Sequence, residues 1–251
     1  SVGYRLSYPD EKLFTFYLDE FETKLFDLPE GVYTCLIENE DCEEQILTPG
    51  MDDEIFSRTK VPMTKNEVRV LSISRLELTK KAVVYDVGSG TGSVSAECAR
   101  LSPDIVVFAI EQKEEAANLT KENAVRLGLS DQIMVINKKA PEGFEELPTP
   151  THVFIGGSSG ALSDILSAIQ KKLIVKENTK GVRVVINAVS LETIAQITKL
   201  IQTYPVKHVQ LTQIQASRAH KLGSYNLMQA QNPVLIASFN LLPDDKMEAD
   251  E

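Results

Sequence analysis

A glycine-rich turn near the middle of the chain has the clearest chemical meaning in the sequence. It reads Gly88-Ser89-Gly90-Thr91-Gly92, between a strand-like run at 82–87 and a helix-like run at 93–101. Alternating glycines let the backbone turn sharply and let a ligand lie against it with no Cβ in the way. Because a helix begins directly after the turn, its free backbone N–H groups face the same side. The pattern predicts a ligand-binding loop.

An acidic residue ends the next strand-like run. Glu111 follows the run at 105–110, and its distance from the loop is that of the carboxylate that binds a ribose in nucleotide-binding folds. A carboxylate at the tip of this strand can accept hydrogen bonds from both hydroxyls of a ribose. The loop and the acid together predict a nucleoside site at the carboxyl edge of a parallel sheet.

The details of the loop restrict the kind of nucleoside. A dinucleotide fingerprint would require glycine where Ser93 stands, and no Gly-Lys-Ser/Thr follows as a P-loop would need. No lysine or arginine occurs between Asp86 and Gly92, which suits a sulfonium cofactor without phosphate, S-adenosylmethionine. Asp86 either binds the amine of that cofactor or caps the turn through backbone amides, and both roles remain open.

The apolar periodicity predicts the elements that position this loop. Helices are expected over 64–76, 93–101, 113–127, 161–173 and 191–204, and strands over 82–87, 105–110, 133–137, 151–155, 182–187, 206–215 and 233–239. Alternating strands and helices predict an α/β fold with a doubly wound, mostly parallel, seven-stranded sheet. The last two strands have no helix between them, which predicts an antiparallel edge hairpin. Thr64 and Glu67 fit a capping box at the start of the first helix.

The leading part of the chain has a different character. A helical-period stretch at 13–25 and a strand-like run at 32–37 precede an acidic segment and the turn at 48–50. Residues 1–48 are too few for a large core of their own. We therefore expect residues 1–48 to be the remnant of a preceding domain or an interface arm, and residues 49–251 to form the α/β domain.

The composition disfavours several classes of function. The formal net charge of −10 disfavours nucleic acid as a partner, because phosphate binding depends on clustered basic residues. The three cysteines form no C-x-x-C pair, so no metal site is expected. No apolar run approaches the roughly 20 residues that cross a bilayer, and no basic leader precedes an apolar run, so we expect no membrane association and a cytoplasmic location.

Several segments together resemble a known enzyme family. Those at 61–69, 85–95, 153–158, 186–193 and 230–234 are similar to the CbiT-type precorrin methyltransferases of cobalamin (vitamin B12) biosynthesis. The segment at 6–11 resembles the end of the CbiE-type methyltransferase, which in many organisms is fused ahead of the CbiT-type domain. This resemblance would explain why the sequence starts in the middle of a pattern that resembles the end of another domain.

The resemblance implies a fold, a reaction and a set of cofactor contacts. The fold would be that of class I S-adenosylmethionine-dependent methyltransferases, in a homotetramer. The reaction would methylate C15 of a precorrin, with or without cobalt, while the C12 acetate leaves as carbon dioxide. The CbiE-type partner methylates C5, in the same polypeptide or as a separate protein. The residues at the family's cofactor contacts are Thr64, the loop Gly88 to Gly92, Glu111 and Ala140.

A precorrin carries many carboxylates, so an acidic enzyme needs a local basic cluster to bind it. The segment 217–225 is predicted to be a loop between the last two strands, and it offers Arg218 and Lys221. An ordinary solvated basic loop would have the same composition. Tyr225 and Asn187 are candidate catalytic or orienting groups, and the small residues that would leave room for the macrocycle are Gly156, Gly157 and Ser158.

Two other functions fit parts of the sequence. A methyltransferase of the same fold could act on RNA or another small molecule, although Asn232-Pro233-Val234 lacks the second proline and the aromatic residue of a base-methylating motif. A catalytically silent subunit could use the fold as an assembly scaffold. The complete glycine loop and Glu111 argue against that alternative.

Overall fold

The computed structural model describes residues 2–7, 10–20, 23–24, 33–35, 48–175 and 180–244. The chain divides into two compact units, Ser1–Ile46 and Leu47–Glu251. In the first unit, strand β1 (Val2–Ser7) pairs antiparallel with β2 (Asp10–Phe14) on one side and with β3 (Tyr33–Cys35) on the other.

The helix predicted over 13–25 is wrong for residues 13–20. Leu13 and Phe14 end β2, and a short 3-10 turn forms at Leu18–Glu20. Phe14 lies opposite Val2 in the β1–β2 ladder. Strand pairing therefore satisfies the backbone hydrogen bonds that the apolar periodicity had assigned to a helix. The predicted strand at 32–37 is seen as β3. The other predicted residues at 21–22, 25, 32 and 36–37 lie outside the described residues.

The second unit alternates strands and helices in the predicted order. The helices are α1 (Asn66–Leu76), α2 (Ser93–Ala99), α3 (Glu114–Arg126), α4 (Leu162–Val175) and α5 (Leu191–Thr203). The strands are β4 (Val83–Val87), β5 (Val106–Ile110), β6 (Ile133–Ile136), β7 (His152–Ile155), β8 (Val182–Ala188), β9 (Val206–Ile214), β10 (Ser217–Leu222), β11 (Tyr225–Ala230) and β12 (Val234–Leu241). In the part of the chain that the structure describes, no helix is long and apolar enough to cross a membrane.

Seven of these strands form one sheet in the order β6-β5-β4-β7-β8-β12-β9. The strands from β6 to β8 are parallel, and β12 runs antiparallel to both β8 and β9. The prediction of a doubly wound, mostly parallel sheet with an antiparallel end is confirmed. The chain order reverses between β4 and β7, and this reversal opens a crevice at the carboxyl ends of the strands.

Both faces of the sheet are buried. Successive residues of β4 lie in different cores, with Tyr85 and Val87 in one and Val84 in the other, because side chains alternate across a strand. Helices α4 and α5 cover the first face, and α1, α2 and α3 contribute to the second core. This double cover fixes the strand ends, and with them the loop that begins at Gly88.

The segment predicted as a loop at 217–225 is mostly strand. Strands β10 and β11 form a two-stranded hairpin, with Leu222 opposite Tyr225 and a turn at Gly223, whose φ is +61°. Neither strand has the alternation of buried and exposed residues by which sequence patterns reveal strands, because the residues of β11 are all exposed and those of β10 nearly so. The hairpin was therefore missed.

The capping box predicted at Thr64 is also wrong. Helix α1 begins after Lys65, which makes no side-chain capping bond. The backbone N–H of Asn66 instead donates to Asp53 Oδ1 at 3.1 Å. Glu67 does not reach back to the helix start, because its carboxylate binds Arg218. A carboxylate from a separate segment thus replaces the local cap.

Leu166→Ala tests the core that supports the site. Leu166 of α4 is fully buried, so its truncation should lower the free energy of unfolding by about 2–5 kcal/mol. Leu191→Ala is the matched control, because 79% of Leu191 is exposed and its loss should cost less than about 0.5 kcal/mol. Urea denaturation measures both changes, and equal losses would contradict this description of the core.

Candidate cofactor and substrate site

The glycine loop follows β4 and passes very close to two other backbone segments. Gly88, Gly90 and Gly92 have φ angles of +72°, +58° and +74°, in the region that favours glycine. A Cβ on Gly88 would lie 2.7 Å from the carbonyl oxygen of Gly157, and one on Gly90 would lie 2.8 Å from that of Pro62. The glycines are therefore required both by the turn and by this close packing.

A cavity of about 410 Å³ opens beside the loop at the carboxyl ends of the parallel strands. The cavity brings together seven of the sixteen site residues predicted from the sequence. These are Gly88, Gly90, Glu111, Ala140, Gly156, Gly157 and Ser158. We call this space the first cavity.

Glu111 forms part of the wall of the first cavity, as the ribose prediction requires. Its Oε2 accepts a hydrogen bond from the Gly90 N–H at 3.1 Å, and its Oε1 accepts one from the Lys113 N–H at 2.9 Å. Each carboxylate oxygen has a second lone pair available. The backbone therefore holds Glu111 in place while leaving it able to accept two ribose hydroxyls.

A second cavity of about 370 Å³ adjoins the first. The two share Pro62, Gly88 and Gly156 as lining residues. The second cavity also contains three residues predicted from the sequence, and these are Thr64, Ser89 and Asn187. Thr64 and Ser89 thus lie on the far side of Gly88 from the space that Glu111 lines.

Asn187, near the carboxyl end of β8, presents a polar group beside the second cavity. Its Oδ1 lies 3.0 Å from Ser72 Oγ, which donates a hydrogen bond to it. Its Nδ2 is buried and has no hydrogen-bond partner among the described residues. Buried polar groups are nearly always paired, so this amide is suited to contact a ligand in the second cavity.

Asp86 lies beneath the loop and lines neither the first cavity nor the second. It is 1% exposed, and its Oδ2 accepts a hydrogen bond from Ser95 Oγ at 2.5 Å. Burial raises the pKa of Asp86 to about 6, although the Ser95 hydrogen bond opposes the shift and the charge of Glu111 adds to it. Oδ1 has no partner among the described residues. The contact with a cofactor amine remains a prediction.

Thr91 and Gly92 also support the loop from below. Thr91 is fully buried, and its carbonyl oxygen accepts a hydrogen bond from Asn123 Nδ2 at 2.9 Å. Gly92 packs against Thr120, whose hydroxyl donates to the carbonyl oxygen of Gly90 at 3.1 Å. Helix α3 thereby fixes the loop, and the predicted cofactor contact of Thr91 and Gly92 is indirect in this geometry.

The segment 48–65, which we call the strap, supplies walls to both cavities, and a buried arginine anchors it. Arg69 has no exposed surface, and it donates to Asp53 Oδ1 at 3.1 Å and to Glu97 Oε1 at 3.2 Å. It also donates to the carbonyl oxygens of Met51 and Thr64. No local sequence pattern indicates this cluster, because its members come from three separate segments.

The hairpin residues predicted to bind substrate do not line the first two cavities. Arg218 donates to both carboxylate oxygens of Glu67, at 2.7 and 2.6 Å, and to Asp53 Oδ2 at 2.8 Å. Its hydrogen bond lowers the pKa of Glu67. The bidentate contact predicted with a substrate carboxylate is thus made with Glu67. Lys221 and Tyr225 are exposed near the turn of the hairpin.

Comparison with known proteins identifies the family. The family described as "Precorrin methyltransferase domain" matches residues 54–240. A protein from Pyrobaculum calidifontis, named "Probable cobalt-precorrin-6B C(15)-methyltransferase (decarboxylating)", is 38% identical over 191 residues, which cover 75% of this chain and 94% of that protein. The chain belongs to the precorrin methyltransferase family.

Solved structures agree with the family and with the fold. The precorrin-6y C5,15-methyltransferase from Geobacter metallireducens superposes with a TM-score of 0.70 at 30% identity, covering 77% of this chain and 97% of that one. A SAM-dependent O-methyltransferase from Thermotoga maritima gives a TM-score of 0.60 at 18% identity, over 75% of this chain and 69% of that one, which shows the fold alone. The class I methyltransferase fold predicted from the sequence is confirmed.

The residues of the first cavity fit S-adenosylmethionine. Backbone with no Cβ borders the space at Gly88 and Gly90, and Glu111 offers acceptors at the strand tip. Both Asp86 and Glu111 are acidic and lie around the loop, which favours a cationic sulfonium ligand. The fold and the donor set therefore agree on the same cofactor.

Gly88→Ala should damage the site far more than an equally strained substitution elsewhere. Its Cβ would collide with the backbone of Gly157, so we expect the affinity for S-adenosylhomocysteine to fall by about tenfold or more. Gly128→Ala is the matched control, since Gly128 has φ of +68° but no atom of the described residues lies within 4 Å of the added Cβ. It should lose about 1–2 kcal/mol of stability and no affinity. Calorimetric titration that shows equal affinities would contradict this packing.

Asp86 should make the stability depend on pH. Its pKa in the folded protein, about 6, lies above the ordinary value of 3.8, so the protonated form stabilises the fold. This contribution is complete below about pH 4 and is lost as the pH rises through about 6. Relative to Asp86→Asn, the unfolding free energy should therefore fall by about 2 kcal/mol between pH 4 and pH 7. Denaturant titrations would measure it, and parallel profiles would contradict it.

Proposed function

We propose that this chain transfers the methyl group of S-adenosylmethionine to C15 of a precorrin or cobalt-precorrin and removes the C12 acetate as carbon dioxide. One observation carries the proposal, which is that two cavities lined by different residues adjoin at Gly88 and Gly156. The first has Glu111 as an acceptor for a ribose, and the second has both apolar side chains and the unpaired amide of Asn187. The names of the relatives, C15-methyltransferases that decarboxylate, support the assignment of the reaction.

The residues of the first cavity hold and orient the cofactor, which supplies an electrophilic methyl group when bound. Glu111 accepts hydrogen bonds from the ribose, and Ala140 borders the same space on the far side of β5 from the loop. Methyl transfer to carbon is an in-line displacement, so the enzyme's main contribution is to hold the two reacting atoms close and aligned. The bare backbone at Gly88 allows that approach.

The residues of the second cavity hold the substrate. A flat macrocycle can lie against Val189, Ile214 and Val234, which are among the apolar residues that line this cavity. The Asn187 amide can then donate a hydrogen bond from Nδ2 to a carboxylate or carbonyl oxygen of the substrate. Gly156, which has no side chain, lies on the path between the two cavities.

The decisive experiment weighs the product. The protein is incubated with S-adenosylmethionine and either precorrin-6B or its cobalt analogue, and mass spectrometry follows the substrate. The expected product has gained one methyl group and lost one carbon dioxide. A transfer RNA incubated in parallel is the control for a methyltransferase of the same fold with another substrate. Methylated RNA with an unchanged precorrin would overturn the proposal.

Glu111→Ala tests the ribose contact. Loss of a charged hydrogen-bond partner should weaken the binding of S-adenosylhomocysteine by about 1–3 kcal/mol. Glu115→Ala removes the same charge from the same cavity, but Glu115 accepts a hydrogen bond from Thr59 on the strap and not from the glycine loop. Calorimetry should therefore find a much smaller loss for Glu115→Ala. Equal losses would mean that the cavity responds only to charge.

We also propose a cytoplasmic homotetramer in which residues 1–48 derive from a CbiE-like domain. The hairpin supports self-association, because Leu222, Leu227 and Met228 are 61%, 50% and 67% exposed, and exposed apolar patches commonly mark protein interfaces. Light scattering on the intact chain measures the subunit number. A monomer at micromolar concentration would contradict the assembly.

A further inference from the structure

The first cavity is bordered by an unexpected number of lysines. Lys60, Lys113, Lys138 and Lys139 all line it, against only two acidic residues, Glu111 and Glu115. The chain as a whole carries a formal charge of −10. The lining of this cavity therefore has the opposite sign of charge to the protein around it.

The cofactor does not require these lysines. S-adenosylmethionine carries no phosphate and has a positive sulfonium, so four nearby ammonium groups oppose its binding electrostatically. Lys138 lies 3.5 Å from Glu146 and is partly neutralised. Lys60, Lys113 and Lys139 are exposed and make no ion pair with any residue in the described ranges.

The three lysines are not placed as scattered charges on an ordinary solvated surface would be. Lys60 lies on the strap, Lys113 precedes α3, and Lys139 follows β6, so three separate segments converge on one opening. Lys113 occupies the N-cap position of α3. A positive charge there is unfavourable, because the helix dipole already places partial positive charge at that end.

We propose that Lys60, Lys113 and Lys139 form a lysine rim that binds peripheral carboxylates of the tetrapyrrole substrate. The proposal rests on the proposed function for the identity of the polycarboxylate. The two cavities adjoin at Pro62, Gly88 and Gly156, so a macrocycle seated in the second cavity can extend its side chains over the mouth of the first. A lysine carries its charge on a flexible stem, which suits carboxylates at several positions.

The lysine rim takes over the role that the sequence predicted for the hairpin. Arg218 is paired with Glu67 and Asp53, and the other predicted basic residue, Lys221, lies on the hairpin away from the cavity linings. The rim residues, by contrast, lie beside the site and make no ion pair with the residues that the structure describes. The residues proposed to bind the substrate carboxylates are therefore the lysines at the mouth of the cofactor cavity and not those of the hairpin.

The test measures polycarboxylate binding apart from turnover. A water-soluble octacarboxylate porphyrin is titrated by fluorescence into protein loaded with S-adenosylhomocysteine. Lys60→Gln, Lys113→Gln and Lys139→Gln should each weaken porphyrin binding by about two- to fivefold, and the triple variant by about tenfold or more. The salt dependence of binding should decrease in the triple variant. Lys121→Gln is the control, because it removes the same charge from an exposed position of α3 outside the cavity.

Two further readouts separate the possible outcomes. The affinity for S-adenosylhomocysteine should stay within about twofold in all variants. If it falls while porphyrin binding is unchanged, the lysines serve the cofactor and the inference is wrong. An unchanged porphyrin affinity in the triple variant also overturns it.

Turnover of precorrin-6B distinguishes a failure of the inference from a failure of the proposed function. If the protein does not methylate precorrin-6B but porphyrin binding depends on the three lysines, the carboxylate site stands and the proposed reaction falls. If the triple variant turns over the precorrin with an unchanged KM, the proposed reaction stands and the lysine rim falls. The expected result is a raised KM for the precorrin with kcat little changed.

Discussion

The buried guanidinium of Arg69 is the constraint on which the site depends. It pairs with Asp53 from the strap and with Glu97 from α2, and all three are almost completely buried. Removing one member of such a cluster leaves an unpaired charge in the interior, which typically costs about 3–5 kcal/mol. Phe56 of the strap is buried in the core, and the Arg69 guanidinium lies 5.0 Å from the centroid of its ring. Arg69 and Phe56 together therefore fix where the strap lies. Pro62, which borders both cavities, depends on that position.

The second constraint is the close approach of two loops at the reversal of the sheet order. Gly88 follows β4 and Gly157 follows β7, and their backbones leave no room for a side chain between them. Strands β4 and β7 are neighbours, but their chains then turn to opposite faces of the sheet. The divergence opens the space on either side of Gly88. The fold therefore creates two adjoining cavities, and the glycines keep the passage between them free.

Local patterns predicted the fold well because each element carries its own signal. The buried strands β4 to β8 are short apolar runs, and the turn after β4 is marked by glycines that its φ angles require. The misses are of two kinds, namely strands of the hairpins β1–β2 and β10–β11 and contacts between residues distant in sequence. Asp53 caps α1 from 13 residues away, and Glu67 binds Arg218 from 151 residues away, so the local capping box lost to non-local contacts.

Sequence patterns indicated Glu111 and the glycine loop at the first cavity, but they did not indicate the lysines that line it. Glu111 and the loop follow strands that are easily recognised, and parallel strands bring their carboxyl ends to the same edge. No comparable rule tells from the sequence which residues bind a substrate carboxylate, because any exposed basic residue can do so. The sequence pattern indicated the basic residues at 217–225, whereas the structure brings together lysines from three separate segments. Only the folded chain shows that Lys60 and Lys139 share a cavity.

The two proposed ligands have opposite charges, and the site separates the charges that would bind them. Asp86 and Glu111 are buried around the glycine loop, where a low dielectric strengthens their attraction for a sulfonium. The lysines lie at the exposed rim, where the high dielectric of water weakens their repulsion of a sulfonium. The buried carboxylates therefore outweigh the exposed ammonium groups in their effect on the cofactor. At the mouth, the same ammonium groups can still pair directly with the carboxylates of a tetrapyrrole that lies over them. An acidic protein can thus bind a cation and a polyanion side by side.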